Sequence, residues 1–371
     1  MNSFPNFGMA ALAVLALPAT LMAAPPERGF FSTSPAAKWE QALVSGNGTH
    51  GAMVFGAPGE ENVIINHGLL YLPLHPPLPA PETSTILPEI RSLMADGEFQ
   101  KAADRVVELA DRNGYSGKHW TDPFIPACDL KVEMPPKGKV RDYGRSVDFT
   151  TGVASVSWSD ERGSWSRRLF VSRKDDVIVM SIKGPEKAAV NCNLTLATRP
   201  FKGTGGWGPE KMFKDGVRDI QRKSEGDLLI YQGQFTRAYE GGLQGYGVVA
   251  KVLPKGGTMK AEGETISIHG ADEVLILMRV SLSRDAGKSG IPPVASDLAA
   301  LPADFDKLLA PHAAIHGGIF NRVRLDLGAT PTACSRARNS LRNPKPARRI
   351  PPCWRSSMTP PATTSCPAAA H

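Results

Sequence analysis

The sequence predicts a mainly β protein, a large antiparallel β-sandwich (a super-sandwich) carrying one helical insert. Three observations support this. Between residues 38 and 327 apolar side chains recur mostly at a period of two. Turn-forming clusters at 160–163, 224–227 and 255–257 separate several of these runs. No alternating helix–strand rhythm appears, which argues against a parallel α/β sheet.

Taken in order, strands are expected at 52–55, 63–65, 153–158, 168–172, 177–182, 191–196, 228–232, 247–253, 265–269 and 273–282. Two segments keep a helical period instead. Residues 87–113 place Ile90, Leu93 and Met94 on one face, break at Asp96-Gly97, and resume with Phe99, Ala102, Ala103, Val106, Val107 and Ala110. Residues 304–323 repeat the pattern with Phe305, Leu308, Leu309, Ile315 and Phe320, and Pro311 is expected to break or restart that helix. The body of roughly 290 residues is ample for one large β domain.

The two ends differ from the body. Residues 1–24 hold an apolar run from Met9 to Met22 with Pro18 inside it, too short and interrupted to span a bilayer. It resembles a secretory signal peptide, although no Lys or Arg precedes the run. The expectation is a secreted or periplasmic protein without a membrane span. From Ala329 to His371 there is no acidic residue and no glycine, but seven basic residues, eight prolines and three of the five cysteines. Those seven cations account for the whole formal charge of +7. The body is neutral, and a nucleic-acid partner is not expected. The tail reads as a disordered Pro-rich segment or as an out-of-frame translation of a GC-rich gene. Codons forced by Cys353-Trp354 and Met358-Thr359 give Leu and Asp in a shifted frame, and permissive choices between them give an amphipathic helix.

Most motifs have plain readings. Gly46-Asn47-Gly48-Thr49-His50-Gly51 matches G-x-G-x-x-G, but strand-like Ala52-Met53-Val54-Phe55 follows, so a tight glycine turn is expected rather than a nucleotide site. His312 and His316 are four apart on a helix and could face one metal, but no third ligand stands at telling spacing. Glu60-Glu61 and Asp175-Asp176 sit at apparent turns and read as solvated charges, and adjacent strand residues point to opposite faces, so neither pair is a ready acid/base couple. Cys128 and Cys192 either pair or are small buried residues. The loop-like segments around Trp120 and Trp207 offer indoles that could stack on sugars.

The ordered motifs resemble glycoside hydrolase family 95, the α-L-fucosidase family. They are Trp39-Glu40-Gln41-Ala42-Leu43 into Gly46-Asn47-Gly48 and Gly51-Ala52-Met53-Val54-Phe55-Gly56, then Glu61-Asn62-Val63-Ile64-Ile65-Asn66 and Leu87-Pro88-Glu89-Ile90-Arg91. Arg168-Leu169-Phe170-Val171-Ser172 and Phe320-Asn321-Arg322-Val323 continue the series, so the resemblance covers residues 36–328. It implies an N-terminal sandwich at 36–303, a linker helix at 304–328 and then an (α/α)6 catalytic barrel, here absent and replaced by the tail at 329–371. The shifted-frame peptide resembles the first barrel helix. His67-Gly68-Leu69-Leu70-Tyr71 departs from the family pattern, which leaves the sugar open.

The expected function is therefore that of the sandwich of a secreted glycosyl hydrolase acting on terminal α-L-fucosyl or related residues, truncated and inactive alone. A stand-alone carbohydrate-binding module is the alternative. No catalytic residue, metal or cofactor is assigned. The glycan-contacting candidates are Asn66, His67, Trp120 and Trp207.

Overall fold

The structure, a computed structural model, describes residues 26–76, 80–115, 121–200, 209–285 and 290–324. The leader at 1–24, the tail at 329–371, Trp120 and Trp207 lie outside the described residues. One compact unit runs through Asn321, and Arg322 begins a second, of which the description covers only the first three residues.

In chain order the first elements are β1 (Gly29–Ser32), β2 (Leu43–Gly46), β3 (His50–Val54), β4 (Glu60–His67), α1 (Leu87–Ala95) and α2 (Phe99–Arg112). There follow β5 (Cys128–Glu133), β6 (Arg141–Asp148), β7 (Val153–Asp160), β8 (Gly163–Val171), β9 (Ile178–Lys183), β10 (Val190–Ala197), α3 (Pro209–Gly216) and β11 (Val217–Glu225). The last are β12 (Leu228–Phe235), β13 (Gly245–Lys255), β14 (Thr258–Glu262), β15 (Thr265–Ala271), β16 (Glu273–Ser283), α4 (Ile291–Ala299) and α5 (Phe305–Phe320). Nine strands form one sheet in the order β1-β6-β7-β8-β9-β16-β13-β12-β11. Seven form the other, β14-β15-β10-β5-β4-β3-β2. Every strand pairing is antiparallel. The protein is a β-sandwich, as its period-two runs predict.

Alternation decides which residues fill the core. Val63 and Ile65, Leu130 and Val132, and Leu194 and Leu196 project from the smaller sheet. They meet Leu169, Met180, Ile276 and Val248 from the larger one. The centre of the larger sheet is buried on both faces, which is why β16 reads as a nearly continuous apolar run. Its outer face carries Val249, Leu275 and Leu277 under α4 and α5, through Val294, Leu298, Phe305 and Leu308.

Two expectations change, and the open alternative for the cysteines is resolved. Helix α5 continues through Pro311 without a break. Asp304 caps its start by accepting from the Asp306 and Lys307 amides, and its buried face offsets the one backbone hydrogen bond that proline removes. The 87–113 helix does break where expected, at Asp96–Gly97, with Gly97 at φ 76°. Cys128 and Cys192 are buried free thiols. Residue pairings Asn193↔Glu133 and Ala197↔Asp129 put them at opposite ends of neighbouring strands. Six residues of strand, about 20 Å, separate them, far beyond disulfide reach.

The second change concerns Glu61, which is not a solvated turn charge. Glu60 is exposed, but Glu61 points inward and is fully buried against Arg167 of the opposite sheet, Oε2 to Nη1 at 3.0 Å. Glu61 Oε1 accepts from the amides of Gly56 (2.7 Å) and Asn62 (3.1 Å). Arg167 donates to the carbonyls of Ala57 and Pro58 and stacks over Trp158 at 4.6 Å. The Nη1–Oε2 contact is ionic in distance but lacks hydrogen-bond alignment. Burial pushes the Glu61 carboxyl up, Arg167 opposing it, and the same burial lowers Arg167. Arg167→Met alone is expected to cost about 3–5 kcal/mol, because it strands a buried carboxylate. Glu61→Leu combined with Arg167→Met is expected to recover most of that loss, as denaturant unfolding of the two variants would show.

Candidate functional site

The Asn66–His67 corner lies where β3 and β4 end together. On β3 the inward residues are His50, Ala52 and Val54; on β4 they are Glu61, Val63, Ile65 and His67. His50 and His67 are register partners, so both rings enter the sandwich end and meet edge to face at 4.9 Å. The glycine motif is the β2–β3 turn, with Gly46 opposite Gly51 and Gly48 at φ 102°. Its Asn47 closes the turn by accepting from the Thr49 and His50 amides at 2.9 and 2.8 Å.

A second loop completes the corner. Asp176, at φ 51°, presents Oδ1 to His50 Nδ1 at 2.9 Å and to Asn47 Nδ2 at 2.7 Å. The Val280 amide donates to His50 Nε2 at 3.1 Å, so Nδ1 carries the proton. Burial opposes ionisation of Asp176, but the His50 and Asn47 bonds hold its carboxyl below the usual range. Burial, with His50 beside it, pulls the His67 imidazole down to about 4. Its Nδ1 accepts from the Leu69 amide at 3.2 Å.

Asn66 does not join this group. It lies on the outer face of its sheet, half-buried opposite Gly51, and its amide makes no hydrogen bond among the described residues. Asn66 and His67 therefore cannot converge on one ligand from their strand. The nearby carboxylate already satisfies His50 and Asn47. Chemically the corner is a neutral imidazole clamp that fastens two turns to the sheet end. The Asn47–His50–Asp176 link was missed in the sequence, where only the Asn-Gly turn signalled it.

His312 and His316 do share a face of α5, with ring centroids 5.4 Å apart. Every ring nitrogen has a partner. His312 Nδ1 accepts from the Arg173 amide (3.0 Å) and its Nε2 donates to the Thr151 carbonyl (2.9 Å). His316 Nδ1 accepts from Arg173 Nε (3.2 Å) and its Nε2 donates to the Phe149 carbonyl (3.0 Å). The pair docks α5 onto two loops and leaves no lone pair for a metal. Burial, then His316 and Arg173, lower His312 against the pull of the Thr151 carbonyl.

Both shifted imidazoles have folded values below the free value of 6.5. Their stabilisation is thus present above pH 6.5 and is lost as pH falls through the folded values, about 4 for His67. Between pH 7 and pH 5, His67 alone should remove about 2 kcal/mol from the unfolding free energy. Denaturant titrations at the two pH values check this, and His67→Gln is expected to flatten the dependence.

The Arabidopsis thaliana protein named alpha-L-fucosidase 2 is 22% identical over 313 residues, covering 80% of this chain and 36% of its own length. The Aspergillus oryzae protein named "Probable alpha-fucosidase A" is 27% identical over 164 residues, covering 40% of this chain and 21% of its own. This chain therefore spans about a third or less of the curated relatives it matches. A solved chain described as "Putative kojibiose phosphorylase from human microbiome" superposes with a TM-score of 0.41 at 10% identity, over 80% of this chain and 39% of its own. The resemblance to fucosidases holds in these relatives. The family model named glycosyl hydrolase family 65, N-terminal domain, matches residues 30–283, nearly the whole run from β1 to β16. This chain is a member of that glycosyl hydrolase N-terminal domain family.

Proposed function

We propose that this chain is the N-terminal sandwich of an exported glycosidase that removes terminal α-L-fucosyl or related residues from glycans. The observation that carries the reading is the match of residues 30–283 to a glycosyl hydrolase N-terminal domain, together with two fucosidase relatives. The sandwich supports the enzyme and does not cleave by itself. Glycoside hydrolysis needs a proton donor and a second carboxylate on opposite sides of the scissile bond. At the sheet end that holds His50 and His67 the described groups are imidazoles and a carboxylate engaged by His50 and Asn47. The composition after Ala329 supports loss of the reading frame before a catalytic barrel.

Sequencing the gene across codons 328–340 should reveal an open shifted frame. The 371-residue protein should hydrolyse a chromogenic α-L-fucoside no faster than the blank, and the frame-restored product should hydrolyse it. A closed shifted frame removes the truncation, and an inactive restored product removes the fucoside. Export predicts a mature N-terminus just after Ala24, readable by N-terminal sequencing of the secreted protein.

A further inference from the structure

The outer face of the nine-stranded sheet carries a polar groove remote from the histidine corner. Tyr246, Val248 and Ala250 of β13 face the core, so Gly245 and Gly247 face outward. They interrupt two cross-strand rows. One row is Gln221–Gln232–Gly247–Ser281, and the other is Arg218–Gln234–Gly245–Ser283. With no side chain at either glycine, β12 and β16 form walls two strand spacings apart, about 10 Å. Ile291 at the start of α4 closes one end, lying where a Gly247 Cβ would come within 2.5 Å of it. The hollow holds about 220 Å³.

Its chemistry is that of a neutral polyhydroxylated ligand. The walls supply side-chain amides and hydroxyls, each able to donate and accept. Gln232 donates to Gln221 at 2.7 Å, which fixes both amides along one wall. The Gln234 amide and the Ser281 hydroxyl have no hydrogen-bond partner among the described residues, and both line the hollow. Strand β11 bulges between Arg218 and Gln221, and Asp219 there adopts φ 51°, placing a carboxylate on the same rim. Arg218 lies 3.7 Å from that carboxylate, so among the described residues the rim's one cation already faces an anion.

The geometry points to this groove as an accessory binding site for a neutral mono- or disaccharide. The choice of a saccharide rests on the glycosidase reading above, whereas the groove itself does not. Saturation-transfer NMR of the purified 371-residue protein with L-fucose, D-galactose, D-glucose, lactose and 2′-fucosyllactose tests it. At least one sugar should bind with a dissociation constant of about 1–10 mM. Gln234→Ala and Ser281→Ala should each weaken it about threefold to tenfold, the loss of one neutral hydrogen bond, with unchanged melting temperature. No transfer from any of the five sugars, or binding that survives both substitutions, overturns the proposal. Binding of a non-fucosylated sugar that obeys the two variants keeps the groove even if the fucoside assays fail.

Discussion

The two sheets are joined through charge as well as through grease. Arg167 of the larger sheet and Glu61 of the smaller one face each other with no access to water. Neither could be there alone, since an unpaired buried ion costs several kcal/mol. The pair also organises its surroundings, because Glu61 holds the Gly56 amide and Arg167 holds the Ala57 and Pro58 carbonyls of the β3–β4 turn. Arg145 repeats the device two strands away, donating to the carbonyls of Ser34 and Gln41 at 2.7 and 2.9 Å. Tyr143 closes it with a 2.7 Å bond to the Gly56 carbonyl. Irregular chain that would otherwise leave polar backbone buried is thereby satisfied.

At the other end of the sandwich, imidazoles take over that task. His50 and His67 hold turns from the inside, while His312 and His316 hold a helix against the same loop that supplies Asp176. Arg173 belongs to both groups, since it also reaches the Asn47 carbonyl at 3.3 Å. These polar side chains are thus spent on joining elements.

Strands with clean alternation were legible, and so was the paired helical insert. The unread strands hide their pattern for identifiable reasons. Strand β6 buries Arg145, β5 buries Asp129, and β11 is a charged edge with a bulge. Helix α4 begins with Pro292 and Pro293, which read as a breaker but fit a first helical turn, where amides have no partner anyway. Glu61 looked like half of a surface pair because its partner lies more than a hundred positions away. The site was less legible. Asn66 and His67 are neighbours in the chain but lie on opposite faces of the sheet, which strand geometry alone dictates.

The separation of Cys128 and Cys192 has its own consequence. Burial raises both thiols, Cys192 to about 12, so neither is a ready nucleophile or oxidation target near neutral pH. The sandwich owes none of its architecture to a covalent crosslink between them. Reduction therefore breaks no covalent bond among the described residues.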